Sequence, residues 1–440
     1  MATREARVER AGCEGSEETR AGRPPVPQRP VPPRRILRDV SPLYAVNGLV
    51  AVVFSATGPV AVTLAVGAAG GLSDAALASW VCGMLASAGL ATLVMTLLYR
   101  RPLAFAWSIP GTVLLGPSLQ HLSFEEVVGA FFTCGLLVLG VGLSRVMGRV
   151  MAVLPMPIIM AMVAAVFLRF GTDIVDAGRA DPVIALPMVG AFILFSSVAA
   201  LGRRVPAVLA ALLAGVAAVV AAGRLDWQPG PVIAWPVFTA PEFTWAAQLE
   251  LVVPLAVTVL LVQNGQGFAV LSAVGHRPPV NGSAIASGVF SLVNACFGAI
   301  SACLTGPTNS LLTASGEKSR QYTAALVYAL LSLALAAVAP VVVRALLATP
   351  EAFVLALGGL AMIRALQQAF VVAFRTGFTM GALATFVVTV SGLDLLGLHA
   401  AFWGIVIGWA VSRVMEPHDH VRPRAACPSS PGGFRTLAHP

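Results

Sequence analysis

The chain has 440 residues, 57% of them hydrophobic and 11% charged, with a mean hydropathy of +0.85. A water-soluble domain carries about 25% charged residues, so the composition excludes one and fits a polytopic membrane protein. The net charge of +8 comes from basic residues spread over the termini and short loops, which excludes a nucleic-acid footprint.

Residues 1–41 are rich in Arg, Glu and Pro and read as a disordered tail. No apolar core follows the early charges at signal-peptide distance. Fourteen apolar segments follow, near 43–69, 75–98, 104–120, 124–144, 150–171, 182–201, 205–222, 247–273, 281–300, 302–315, 321–346, 351–373, 379–393 and 398–414. A helical membrane crossing takes about 20 apolar residues, and the third and tenth segments are short.

The third segment holds the stretch Ala106 to Gly116, with Pro110 and Gly111 in mid-segment. Proline removes a backbone donor and clashes with the preceding turn. In hydrocarbon, broken backbone survives only inside protein or beside a polar cavity. We therefore expect Ala106–Ile109 to be extended and a half-helix to run from Gly111. Its first N–H groups would favour an anion. Cys303 to Thr313 repeats the grammar: a hydroxyl residue, a proline within two positions, then a Thr and a Leu-Leu pair. Ser108 and Thr305 lie about half a chain apart, and paired interruptions of this kind mark the substrate site of secondary transporters. The plain alternative is two proline-kinked helices with no ligand.

Basic residues test the count of segments. With the N-terminal tail inside, Arg100, Arg101, Arg145, Arg149, Arg203, Arg204, Arg277, Lys318, Arg320, Arg375 and Arg413 all fall inside. Outside loops then hold mostly acids, with Arg179, Arg224 and Arg344 as the exceptions. This alternation predicts fourteen spans with both termini cytoplasmic. Linker 223–246 carries Trp227, Trp235 and Trp245, suited to the outer interface. It divides the chain into a first seven-segment repeat, 42–222, and a second, 247–415. An odd number of spans per repeat inverts the second. A cytoplasmic tail, 416–440, closes the chain.

Polar residues inside the segments are the candidates for chemistry. Gln263, Asn264 and Gln266 lie on the eighth segment and need buried partners, either neighbouring helices or a substrate. Ser55, Thr57 and Pro59 interrupt the first segment. Arg364, with Gln367 and Gln368, lies well inside the twelfth and could pair with a carboxylate substrate or snorkel to the interface. Arg169 near Asp173 reads as a structural or gating ion pair. No acid lies in the middle of a segment; Glu250 and Glu317 are at segment ends, so no proton carrier is apparent. Six cysteines lack metal-site spacing and read as apolar filler. His418 and His420 alone make a weak metal site. No cofactor is expected.

With these residues in view, the chain resembles the benzoate–proton symporter family. The likeness covers roughly 43–415 and is most specific at Tyr99 to Gly111, Leu168 to Gly171, Gln263-Asn264 and Ala401 to Gly404. It implies an all-α polytopic fold of about fourteen transmembrane segments, related to nucleobase and sulfate transporters. Two inverted seven-segment repeats would form a core and a gate domain, with the third and tenth segments broken into strand and half-helix. It also implies a bacterial inner membrane location and uptake of an aromatic carboxylate with protons. A homodimer is compatible with it, since gate-domain dimers occur in related folds. The nucleobase relatives use acids on the eighth and tenth segments; here Gln263, Asn264, Thr308 and Asn309 stand there.

The expected pocket is lined by Ser108, Gly111, Thr112, Gln263, Asn264, Thr305, Thr308 and Asn309, with Arg364 as a further candidate and the ring slot supplied by residues such as Phe167 and Phe170. The rivals are another anion or a nucleobase on the same fold, a membrane-embedded enzyme, and a channel.

Overall fold

The computed structural model describes residues 27, 32–147, 155–202, 205, 207–227, 229–235, 237–314, 316–375, 377–393, 395 and 400–421. Arg203, Arg204 and most of both expected tails lie outside the described residues.

Proline in the first turn is the recurrent start signal. It opens α2 (Pro42–Ala56), α3 (Gly58–Ala69), α5 (Ile109–Ser118), α7 (Met156–Ala180) and α8 (Pro182–Ser197). It does the same for α12 (Gly306–Leu312) and α14 (Ala339–Leu347). Its missing N–H has no intrahelical partner there anyway. Serine caps do the same work elsewhere. Ser73 caps α4 (Asp74–Tyr99), and Ser123 with Glu126 forms a reciprocal capping box on α6 (Phe124–Leu143). Among the described residues the remaining helices are α1 (Pro33–Asp39), α9 (Ala207–Ala221), α10 (Trp245–Ser272), α11 (Val280–Cys296), α13 (Tyr322–Ala337), α15 (Glu351–Phe374), α16 (Thr379–Val390), α17 (Ala400–Met415) and α18 (Pro417–Val421), with one further helical turn at Ala199–Gly202.

Among the described residues six helices are long and apolar enough to cross a membrane, and the bent pair α13–α14 makes a seventh candidate; α8, α9, α11, α16 and the Trp403–Met415 part of α17 are shorter apolar helices. The protein is thus a mostly helical polytopic membrane fold. Large apolar side chains on the outside, such as Leu136, Leu186, Ile193 and Leu330, are what a lipid-facing surface requires.

Several expected boundaries move. The first segment breaks at Thr57, beside Gly58 and Pro59. The eleventh bends by 74° between α13 and α14, where Pro340 cannot continue the preceding turn. The fifth continues to Ala180, so Asp173, Asp176 and Arg179 ride on α7 with Arg169 rather than in a loop. Two parts of the expected tails are ordered. Asp39, at the end of α1, accepts from Tyr322 Oη at 2.7 Å and from Arg320 Nε at its carbonyl at 3.0 Å. Glu416 and Asp419 accept from the backbone N–H groups of Met380, Gly381 and Phe378, satisfying the open start of α16.

The helices pack as two groups. In one, α4 packs on α13 and, reciprocally, α6 packs on α11, with α2, α3, α5, α10 and α12 filling between. In the other, α7 packs on α15, flanked by α8, α9, α16 and α17. The groups meet chiefly where α3 lies on α15 and where α7 touches α5 and α10. The linker is pinned across the ends of the first group: Val237 N–H donates to Ser79 at 2.9 Å and Glu242 N–H to the Glu125 carbonyl at 2.9 Å. Trp235 and Trp245 are more than 80% exposed along it, as an interfacial belt demands.

Candidate functional site

The two broken segments meet. Strand β1 (Phe105–Trp107) pairs antiparallel with β2 (Ala302–Leu304), with Ala106 opposite Cys303 at the centre. The sequence offset between these two residues is the same as that between Ser108 and Thr305. The pairing extends one bond each way, Ser108 N–H to the Ser301 carbonyl and Thr305 N–H to the Ala104 carbonyl, both at 3.1 Å. Every residue of both strands is buried.

A two-stranded ribbon this short is not stable alone, and its outer edges carry unpaired backbone groups. Surrounding helices satisfy them in matching ways. Thr92 of α4 accepts from Phe105 N–H at 2.8 Å, and Ser291 of α11 accepts from Ala302 N–H at 3.0 Å. Tyr328 donates to the Phe105 carbonyl at 3.1 Å. The sheet is therefore held by hydroxyls one layer out.

Each strand runs into a half-helix. The strands end at Trp107 and Leu304, so Ile109, which we expected to be extended, is already the first residue of α5. Ser108 and Thr305 are the N-caps, and Pro110 and Pro307 lie in the first helical turn, where no bond is lost. The Ser108 hydroxyl accepts from Gly111 N–H at 3.1 Å and donates to Thr258 Oγ1 at 2.9 Å. Thr112 Oγ1 donates back to the Ser108 carbonyl at 3.0 Å. The start of α5 is thus self-capped, whereas Thr305 makes no side-chain cap on α12.

Helix α10 lies against both half-helices. It contains two π-helical turns, Gln248–Val252 and Thr258–Gln263, a distortion often seen at functional sites. Asn264 follows the second. Its Oδ1 accepts from Leu304 N–H at 2.7 Å and from Ser287 Oγ at 3.2 Å. A backbone N–H can only donate, so the carboxamide orientation is fixed and Nδ2 points the other way. Among the described residues that Nδ2, fully buried, has no partner, and neither has Gln263 Oε1. Gly267 lets α10 approach β2: a Cβ there would stand 2.8 Å from Leu304 Cγ and 2.9 Å from its carbonyl oxygen.

Eight expected residues are thus buried around the strand crossing: Ser108, Gly111, Thr112, Gln263, Asn264, Thr305, Thr308 and Asn309. Four of them are engaged by the scaffold: Ser108 and Thr112 within the start of α5, and the two asparagines on neighbouring backbone. Asn309 holds Ala104, as Asn264 Oδ1 holds Leu304. Arg364 is not brought in. It is exposed on α15 together with Gln367 and Gln368, because the face of α15 that packs inward carries Leu360, Ala361, Leu366 and Ala369. Phe167 and Phe170 are buried on α7 in an edge-to-face pair at 6.2 Å.

Sequence reasoning passed over Glu250 as a segment-end residue. It is only 8% exposed and accepts from Ser118 Oγ at 2.5 Å, with His121 Nε2 at 2.9 Å. The signal was its place inside the eighth apolar segment. Away from the crossing, an open cleft of about 620 Å³ is bordered by Arg100, Arg101, His276, Glu317, Lys318 and Ser319. His420 meets Ser412 at 3.1 Å and stacks edge-on to Phe378. Among the described residues no group of His, Cys, Asp and Glu is arranged to hold a metal.

Residues 38–414 match the family described as benzoate membrane transport protein. The chain belongs to that family. It is 28% identical over 379 residues to the inner membrane protein YdcO of Escherichia coli (strain K12), covering 84% of this chain and 95% of that protein. It is likewise 28% identical over 385 residues to the benzoate membrane transport protein of Acinetobacter baylyi, covering 85% and 95%. This member of the family is therefore a multi-pass membrane transporter homologous to bacterial inner membrane proteins. Its fold is that of the transmembrane domain of the cyanobacterial bicarbonate transporter BicA, with a TM-score of 0.60 at 15% identity over 86% of this chain and 98% of that one. SLC26A9 gives the same TM-score at 12% identity, and the chain spans 65% of its length.

Proposed function

We propose that the protein imports benzoate or a similar aromatic monocarboxylate together with a proton across a bacterial inner membrane. The observation that carries the reading is the unpartnered Asn264 Nδ2 beside two half-helix starts brought together by the β1–β2 pair. A buried donor without an acceptor costs about 1–3 kcal/mol, which a carboxylate would recover. Gln263 and the Thr305 and Thr308 hydroxyls would complete the polar end. Phe167 and Phe170 on α7 offer an apolar wall for a ring, and α7 touches both α5 and α10. The name of the Acinetobacter relative supports benzoate as the first substrate to test.

In this reading the chain forms two inverted seven-segment repeats, 42–222 and 247–415, joined by an outer linker, 223–246, with tails 1–41 and 416–440 cytoplasmic. The reciprocal packing of α4 on α13 and α6 on α11, and the strand pair centred on equivalent residues, support the pseudo-two-fold. The two helix groups would act as core and gate, and the gate would carry any homodimer contact. One proton per carboxylate makes the cycle electroneutral. The test is labelled benzoate uptake into proteoliposomes under an imposed pH gradient or a potassium-diffusion potential. Uptake should follow the pH gradient and respond little to voltage. Voltage-driven uptake without pH dependence, or accumulation of another anion but not benzoate, would overturn the reading.

A further inference from the structure

Helices α5 and α10 are joined at two levels. Ser108 bonds Thr258 at the strand crossing, and one full half-helix away Ser118, the last residue of α5, bonds Glu250. Ten residues of helix separate the two serines, about 15 Å. At the far level the carboxylate is buried, while the imidazole beside it is 56% exposed at its side chain. A buried carboxylate reached by a solvent-facing imidazole is the arrangement of a proton entry point.

We infer that His121 and Glu250 form the proton-loading site of the transport cycle, filled from the side of the membrane on which the linker lies. This rests on the proton-coupled reading above. Three local features bear on the pair. Ser118, at the carbonyl end of α5, donates to Glu250 Oε1. The π turn at Gln248–Val252 carries Glu250. The charged groups next to the pair in the turn after α5, at the start of α6 and in the linker are His121, Glu125, Glu126 and Glu242, while α7, which packs on both α5 and α10, carries Arg169, Asp173, Asp176 and Arg179.

The transfer is balanced within the pair. A proton from water binds His121 Nδ1; the Nε2–H bond breaks as Glu250 Oε2 gains the proton across 2.9 Å. The imidazole returns to neutral and the carboxylate becomes a neutral acid. Loading removes the charge from the Glu250 end of α10, the helix that also carries Thr258, Gln263 and Asn264. Proton and substrate sites thus share two rigid elements, and a shift of α5 against α10 would be felt at both.

The experiment compares wild type with Glu250→Gln and His121→Gln in proteoliposomes, using labelled benzoate. Glu250→Gln should lower pH-gradient-driven accumulation at least tenfold, toward simple equilibration, while benzoate exchange remains measurable. His121→Gln should slow gradient-driven uptake several-fold and flatten its dependence on outside pH. Full accumulation by both variants overturns the proposal. If wild type moves no benzoate at all, the transport reading fails by itself. The proton site is then judged by infrared titration of the purified protein, where the protonated-carboxyl band should vanish in Glu250→Gln. Should that variant not fold, Ser118→Ala should shift the band. A band unchanged by either substitution overturns the proposal.

Discussion

Asn309 grips the backbone of Ala104 as a neighbouring strand would: its Oδ1 accepts from Ala104 N–H and its Nδ2 donates to the Ala104 carbonyl, both at 3.0 Å. The same Nδ2 reaches the Thr305 carbonyl at 2.6 Å. One carboxamide on α12 thereby ties the residue before β1 to the residue after β2. Replacing Asn309 by Ala would leave the Ala104 N–H buried without that acceptor, a cost of about 1–3 kcal/mol. We expect Asn309→Ala to lower the unfolding temperature in detergent and the folded yield. A variant as stable as wild type, with weakened benzoate binding alone, would show instead that Asn309 serves the ligand.

Asn264 has two separable halves. Its Oδ1 anchors Leu304, and its Nδ2 is free of partners. Asn264→Asp keeps an acceptor for Leu304 and Ser287, removes the donor and adds negative charge. It should fold, yet bind benzoate at least tenfold more weakly by calorimetry. Gln263→Ala should weaken binding with little effect on stability, since its Oε1 accepts no hydrogen bond from the scaffold among the described residues. Asn264→Ala should damage both. Normal binding by Asn264→Asp would reduce the carboxamide to packing.

How much of this was legible in the chain depends on how local each signal is. Pro110, Gly111 and Pro307 announce broken helices because proline and glycine act on their own turn. That the two breaks form one sheet, with Ala106 opposite Cys303, is a tertiary fact; only the shared offset hinted at it. Asn264 and Asn309 read as polar residues that need partners, but whether a partner is ligand or backbone depends on which strand lies alongside. Arg364 drew attention as a cation in an apolar run, yet hydropathy carries no helix phase, and α15 turns it outward. Glu250 was discounted by its distance along the segment, whereas its burial comes from Ser118 and His121, more than a hundred residues earlier.

Gly267 sits where α10 crosses β2, and an added Cβ would overlap Leu304, including its carbonyl oxygen. Backbone cannot rotate away as a side chain can, so β2 itself must move. Gly267→Ala should therefore weaken benzoate binding and lower the unfolding temperature together. Gly190, which has open space around it, is the control: Gly190→Ala should be neutral or slightly stabilising in its helix. Equal behaviour of the two variants would deny the close approach.

His276 lies in the turn after α10, with Nε2 2.8 Å from Gln321 Oε1. Its pKa is held below the ordinary imidazole value, first by burial and then by the nearby positive charges of Lys318 and Arg101, against the opposing pull of Gln321. The folded protein therefore resists protonating a group that the unfolded chain protonates at about pH 6.5. The linkage runs one way: stability from this group is full above the unfolded value and is lost as pH falls through the depressed folded value, because the unfolded state binds the extra proton. The unfolding temperature in detergent should fall between pH 7.5 and pH 5.5. His276→Gln, which has no proton to gain, should show a smaller fall. The difference between the two curves isolates His276 from every group that the two proteins share. Parallel curves would mean that His276 is as easily protonated in the fold as outside it.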